Sequence, residues 1–183
     1  MITQPATYTR TAISLHWVIA LLIFAAFPLG LYMSDLPVSP NSLRLYSYHK
    51  WMGITVLVLA VLRLVWRITH RPPELPITMP RWERVAAASM HHLLYILIFI
   101  VPLTGWLMSS AKGFQTVWFG VIPLPDLVGK DKALGHLLKE WHEYLNYLML
   151  VLVIGHIATA LRHHFIVRDN ILTQMLPCLS KSK

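Results

Sequence analysis

Residues 139–165 read "KEWHEYLNYLMLVLVIGHIATALRHHF", an apolar stretch with histidines near both of its ends. His142 and His156 are fourteen positions apart, so in an α-helix they lie about 21 Å apart along the axis and share one face. Ionisable side chains within a membrane-spanning segment are costly and mark candidate functional sites. The stretch therefore predicts a spanning helix with one imidazole toward each side of a membrane.

Three further apolar segments precede this one. The four segments cover about residues 15–33, 48–66, 87–108 and 144–161. Each approaches the ~20 residues that cross a hydrocarbon core as a helix. Only 13% of the 183 residues are charged and 56% are hydrophobic, whereas a soluble domain is about 25% charged. The sequence predicts an all-α transmembrane four-helix bundle that forms a single domain over residues 1–183.

The basic residues flank the apolar segments. The formal net charge is +8, and this placement favours contact with membrane lipid headgroups over binding of nucleic acid. Ten of the sixteen Lys and Arg residues fall on the side that carries both termini. The positive-inside rule therefore predicts that both termini are cytoplasmic.

Two more histidines match those of the fourth segment in depth. His16 opens the first segment on the side of His156, and His49 opens the second on the side of His142. Facing imidazoles at two depths in an apolar bundle suit the iron of two haems, since a porphyrin fills the bundle interior. Two protein ligands leave no open coordination position, which favours electron transfer. Zinc would require further ligands at each depth.

Several neighbouring residues bear on this prediction. The one cysteine, Cys178, excludes a C-x-x-C-H attachment motif, so both haems are expected to be non-covalently bound haem b. Each span contains a glycine, which permits close approach either of a macrocycle or of another helix.

Arg63 and Arg67 either pair with haem propionates or extend to lipid phosphates. His91 and His92 open the third segment and compete with His16 as ligands.

The chain resembles the bacterial cytochrome b561 type of small, four-helix membrane cytochrome with two haems. The resemblance covers nearly the whole chain. Five sequence stretches carry it: "ISLHW", "YHKWMGITVLVLAVLRLVWR", "LTGWLM", "EWHEYLNYLMLVLVIGHIATALRHHF" and "RDNILTQMLP". It implies the same four axial ligands, which are His16, His49, His142 and His156, and a bacterial inner-membrane location.

The resemblance also implies an oxidoreductase function that the spacing does not show. Electrons would come from superoxide at the periplasmic face and pass to ubiquinone at the cytoplasmic face. His163 would match a residue of the quinone site, although "RHH" also suits an interfacial basic cluster. The sequence itself assigns no catalytic residue. Two other classes stay open, namely a cytochrome b subunit of a dehydrogenase or hydrogenase and a haem-free histidine-dependent transporter.

Overall fold

Four long helices dominate the structure, a computed structural model that describes residues 7–74 and 79–179. The helices are α1 Arg10–Ser34, α2 Pro40–Thr69, α3 Arg81–Ala111 and α4 Lys132–Arg162. All four are long and apolar enough to cross a membrane. The fold is a transmembrane four-helix bundle, as the sequence predicts.

Each helix includes one of the four apolar segments and extends beyond it, and polar residues cap the added N-terminal turns of α1, α2 and α4. Ser39 forms a capping box with Ser42 and is followed by Pro40 at the first helical position. Asp131 accepts hydrogen bonds from the first backbone N–H groups of α4. Thr9 caps α1 in the same way.

The segment between α3 and α4 forms a small β-hairpin. Strand β1 (Val117–Trp118) pairs antiparallel with β2 (Ile122–Pro123). Phe119, Gly120 and Val121 connect them. Val121 N donates to Trp118 O over 3.1 Å, which closes a tight turn around Phe119 and Gly120, both with positive φ. Trp118 Nε1 donates to Thr55 Oγ1 of α2 over 3.1 Å, so this hairpin packs against the bundle.

The bundle is assembled mainly from two helix pairs, α1 with α2 and α3 with α4, and α2 also packs against α3. Leu97, Val101 and Met149 form a buried cluster between α3 and α4. Many large apolar side chains point outward, among them Leu21, Val65 and Val151. An apolar exterior is expected where helices face lipid.

The two ends of the bundle differ in their connections. At one end, here the loop end, lie the α1–α2 and α3–α4 connections. At the other, the terminal end, α4 continues into a π-helical turn (His163–Val167), followed by a short helix α5 (Ile171–Met175) and a 3-10 turn (Pro177–Leu179). Trp17 Nε1 of α1 donates to Met175 O over 2.8 Å, which fastens this C-terminal segment to the bundle.

Candidate functional site

His49 of α2 and His142 of α4 face each other near the loop end. Their ring centroids are 6.2 Å apart and the rings are nearly perpendicular, at 85°. A first-row metal binds an imidazole nitrogen at about 2 Å, and the ring centre lies roughly 1 Å farther. Two imidazoles on opposite sides of one iron therefore have centroids about 6 Å apart, so this loop-end pair fits a haem iron.

Backbone carbonyls fix both rings of the loop-end pair. His49 Nδ1 lies 3.0 Å from Ala26 O, and His142 Nδ1 lies 3.0 Å from Val101 O. A carbonyl can only accept, so both Nδ1 atoms carry the proton and donate. The Nε2 atoms are thereby left unprotonated, which is the tautomer that a metal ligand needs.

A glycine lies next to each of these two histidines. Gly30 follows Ala26 by four residues, and Gly105 follows Val101 by four, so each lies one turn from the accepting carbonyl. A Cβ at Gly30 would come within 3.0 Å of His49 Cε1, and one at Gly105 within 3.0 Å of His142 Cε1. Because both positions lack a Cβ, the His49 ring packs directly against the backbone of α1 and the His142 ring against that of α3.

An apolar cavity adjoins the loop-end pair. It is lined by the two histidines, by Asn146 and otherwise by apolar side chains, with Gly53 of α2 at its wall. Beside Gly53 the space is open, with no heavy atom within 4 Å of where a Cβ would stand. An apolar wall suits a porphyrin, whose macrocycle is itself apolar.

His16 of α1 and His156 of α4 face each other near the terminal end. Their ring centroids are 6.4 Å apart, at an interplanar angle of 64°. This terminal-end pair has nearly the spacing of the loop-end pair and also fits a haem iron. Trp17, which holds α5, packs edge-on against His16 with ring centroids 5.2 Å apart.

An arginine contacts the terminal-end pair directly. Arg63 Nη1 lies 2.8 Å from His16 Nδ1. A guanidinium can only donate, so this Nδ1 accepts and a neutral His16 carries its proton on Nε2. For His16 to bind iron through Nε2, the Arg63 guanidinium has to move to another acceptor.

Tyr95 of α3 holds both arginines that the sequence singles out. Its hydroxyl accepts from Arg63 Nε over 3.0 Å. The Arg63 and Arg67 guanidinium carbons lie 5.7 and 5.5 Å from its ring centroid. Both arginines are half-buried, and both lie against Tyr95.

The competing histidines of α3 differ in position. The His91 ring lies 5.4 Å from that of His156, closer than His16 does. His92 is exposed, and its Nδ1 lies 2.6 Å from Ala88 O of its own helix. His91 thus adds a third imidazole at this depth, while His92 points away from the pair.

His163 is buried at the start of the π-helical turn, and a carboxylate holds it. Its Nδ1 lies 2.6 Å from Asp169 Oδ2. Arg168 has a left-handed backbone, with φ 61° and ψ 36°, which turns the chain so that Asp169 faces back toward His163. Asp169 Oδ1 also accepts from Ile171 N. The carboxylate fixes the ring and leaves Nε2 available.

Sequence reasoning missed three of these contacts. Tyr95 follows His91 by four residues and so shares its helix face, which could have indicated it. Thr104, whose Oγ1 lies 3.1 Å from His142 Nδ1, stands in the quoted stretch "LTGWLM" beside Gly105. Asp169 has no comparable signal, because the π-helical turn and the left-handed Arg168 determine its position.

The chain is similar to known proteins over nearly its whole length. The profile of the family described as "Prokaryotic cytochrome b561" matches residues 7–178. The Escherichia coli (strain K12) protein "Cytochrome b561 homolog 2" is 32% identical, over 94% of this chain and 92% of its own length. "Cytochrome b561 homolog 1" of the same strain is 32% identical over 93% and 97%, respectively. The Yersinia pestis protein "Probable superoxide oxidase CybB" is 28% identical over 93% and 96%.

The matches extend over all four helices and both histidine pairs. With four apolar helices, two facing pairs of imidazoles and relatives aligned over nearly their full lengths, the chain belongs to the prokaryotic cytochrome b561 family, whose members are b-type haem proteins of electron transfer in the bacterial inner membrane.

Proposed function

We propose that this protein binds two b-type haems and carries electrons across the inner membrane from superoxide to ubiquinone. His49 and His142 hold one haem at the loop end, and His16 and His156 hold the other at the terminal end. The observation that carries the proposal is the nearly equal spacing of the two pairs. The ring centroids are 6.2 Å apart in the loop-end pair and 6.4 Å apart in the terminal-end pair. Each haem supplies a one-electron redox centre.

In this proposal the loop end is periplasmic and both termini are cytoplasmic. Two superoxide anions release one electron each at the loop end and leave as dioxygen. One ubiquinone at the terminal end takes up two electrons and two protons to become ubiquinol. The printed name of the Yersinia pestis relative supports superoxide as the donor, and the excess of Lys and Arg on the side of the termini supports the orientation.

His163 and Asp169 are the groups that we assign to the quinone. Imidazole exchanges protons near neutral pH, and His163 lies about two helical turns beyond His156. Asp169 fixes His163 Nδ1, so Nε2 is the ring atom that donates a proton to the quinone oxygen. Arg63 and Arg67 form ion pairs with the propionates of the terminal-end haem in this account.

Superoxide-dependent reduction of ubiquinone by the purified holoprotein tests the proposal. Superoxide is generated enzymatically, and ubiquinol is measured with and without added superoxide dismutase. The proposal predicts dismutase-sensitive formation of ubiquinol, together with loss of one haem in His142→Ala and in His156→Ala. His164→Ala is the matched control. A holoprotein with both haems that forms no ubiquinol from superoxide contradicts the assignment of donor and acceptor.

A further inference from the structure

A second cavity lies at the loop end, outside both histidine pairs. It has a volume of about 510 Å³ and opens where α3 ends and α4 begins. Four lysines line it, at positions Lys112, Lys130, Lys132 and Lys139. We call it the lysine cleft.

Two of the four lysines have aliphatic side-chain stems that pack against a glycine. The Lys130 stem lies over Gly113, where an added Cβ would overlap it. Gly113 also has a φ of 74°, which favours glycine. A Cβ at the buried Gly135 of α4 would come within 3.1 Å of Lys112 Cγ. Both ammonium groups are thus carried on stems that pack against the fold.

Acidic side chains balance only part of this positive charge. Asp131 lies in the cleft, but one of its carboxylate oxygens already caps α4. Lys139 pairs with Glu143 over 3.2 Å. Across the described ranges 7–74 and 79–179, no carboxylate lies within ion-pair distance of Lys112, Lys130 or Lys132. Burial and the charge of Lys139 lower the pKa of Lys112 below 10.5, so an anion in the cleft would relieve this repulsion.

The surroundings of the cleft are those of a membrane interface. Trp141, which is half exposed on α4, follows Lys139 by two residues, and Trp106 precedes Lys112 by six, roughly 9 Å along a helix. Tryptophan settles at the headgroup level of a bilayer. Phe114 lines the cleft, and its apolar side chain is 59% exposed.

We propose that the lysine cleft binds the phosphate headgroup of an anionic phospholipid, with the acyl chains beside the exposed ring of Phe114. A diatomic anion or a free phosphate fills only a small part of 510 Å³, since one water takes up about 30 Å³ of liquid. An amphipathic anion matches both the lysines and the exposed apolar ring of Phe114. Lysine side chains close to a bilayer surface attract anionic lipid headgroups.

Native mass spectrometry of the holoprotein tests this inference. The protein is released from nanodiscs of equal parts phosphatidylglycerol and phosphatidylcholine, and the retained lipid is counted. We expect at least a fivefold preference for phosphatidylglycerol, and its loss in Lys112→Gln and Lys130→Gln. Arg44→Gln is the matched control, because it removes one exposed positive charge at the same end, away from the cleft. Haem spectra verify that every variant is folded.

Three results would overturn the inference. Equal retention of the two lipids excludes a headgroup site. Loss of the preference in Arg44→Gln to the same degree as in Lys112→Gln indicates diffuse surface charge. Displacement of phosphatidylglycerol by millimolar inorganic phosphate or by polyglutamate assigns the cleft to a free anion or to an acidic protein instead.

Discussion

The two histidine pairs have almost the same ring spacing but very different surroundings. At the loop end, carbonyls of α1 and α3 fix Nδ1 of His49 and His142, and a glycine leaves room for each ring. At the terminal end, His16 accepts from Arg63, and His91 stands closer to His156 than His16 does. The loop-end pair is already in the tautomer that binds a metal through Nε2, and His16 of the terminal-end pair is not.

This difference indicates that the two ends of the bundle have different functions. A ligand pair fixed by backbone carbonyls gives its haem one defined geometry. The terminal-end pair lies beside the third imidazole of His91 and beside Arg63, which donates hydrogen bonds. A quinone that takes up protons as well as electrons needs hydrogen-bond donors and a proton donor such as His163 near it, whereas a site that only exchanges electrons does not. The asymmetry therefore agrees with a quinone at the terminal end.

Removal of a ligand is expected to have the largest effect and to differ between the two ends. His142→Ala removes the loop-end haem completely, because His49 has no other imidazole facing it among the described residues. His16→Ala retains part of the terminal-end haem, since His91 can take its place beside His156. The double variant His16→Ala/His91→Ala then loses that haem. Haem-to-protein ratios and reduced-minus-oxidised spectra measure the effect.

The control for this series is His136→Ala, which changes an exposed histidine of α4 that pairs with Glu140. It should retain both haems. If His16→Ala loses its haem as completely as His142→Ala does, then His91 is not a substitute ligand and that part of the comparison is wrong.

Glycine-to-alanine changes are expected to have the second-largest effect on haem binding. In Gly105→Ala the new Cβ would contact the His142 ring at 3.0 Å, so the ring must turn away from Val101 O. We expect a 10–100-fold loss of affinity for the loop-end haem, the range found when a group that orients a metal ligand is lost. Gly155→Ala is the matched change beside His156, where Met90 Cε stands at an ordinary 3.5 Å.

Haem titration of the two apoproteins compares the effects. Gly155→Ala should bind both haems as the native protein does. Equal weakening by the two changes would mean that glycine at both positions serves general helix packing rather than the seating of the His142 ring.

Asp169→Asn tests the proton-donating role of the terminal end. The amide preserves the shape but no longer offers His163 Nδ1 a charged hydrogen-bond acceptor, so the ring is oriented less firmly and ubiquinone reduction should fall about tenfold, near the lower end of the range for loss of general acid–base assistance. Both haems should remain.

His164→Gln serves as the control, since it changes the neighbouring imidazole outside the His163–Asp169 contact. If Asp169→Asn loses the terminal-end haem, or lowers the rate no more than His164→Gln does, the carboxylate has only a structural role.

The smallest effect is expected for Arg63→Gln. Removal of a positive charge beside a haem disfavours the reduced form, so the potential of the terminal-end haem should fall by tens of millivolts, where about 59 mV corresponds to a tenfold change in a one-electron equilibrium. The loop-end potential should not change. Arg10→Gln, an exposed charge at the same end, is the control in a potentiometric titration. A shift of both potentials in Arg63→Gln would argue against a local pairing with one haem.

Hydropathy and spacing were enough to predict the spanning helices. Long apolar runs in lipid have little alternative to helix, so the bundle follows from composition. The helix ends could not be predicted this way, because caps such as Ser39 and Asp131 add polar turns that hydropathy does not register.

The histidine pairs were predictable because depth in a membrane follows residue number along a helix. Contacts between helices were less accessible to prediction. The closeness of His91 to His156 and the hydrogen bond from Arg63 to His16 depend on helix rotation, which sequence spacing does not determine. The hairpin at Val117–Trp118 depends on two residues with positive φ, and one of them is Phe119, a residue type that rarely adopts this conformation.

The haem content of the purified protein is the most direct test of the central claim. Full-length protein produced with ample haem supply is assayed for haem b and for chain concentration. We expect two equivalents of haem b per chain in the native protein and one equivalent each in His142→Ala and His156→Ala. The spectra of the two variants should differ, because each retains a different haem. One equivalent or none in the native protein would contradict the claim.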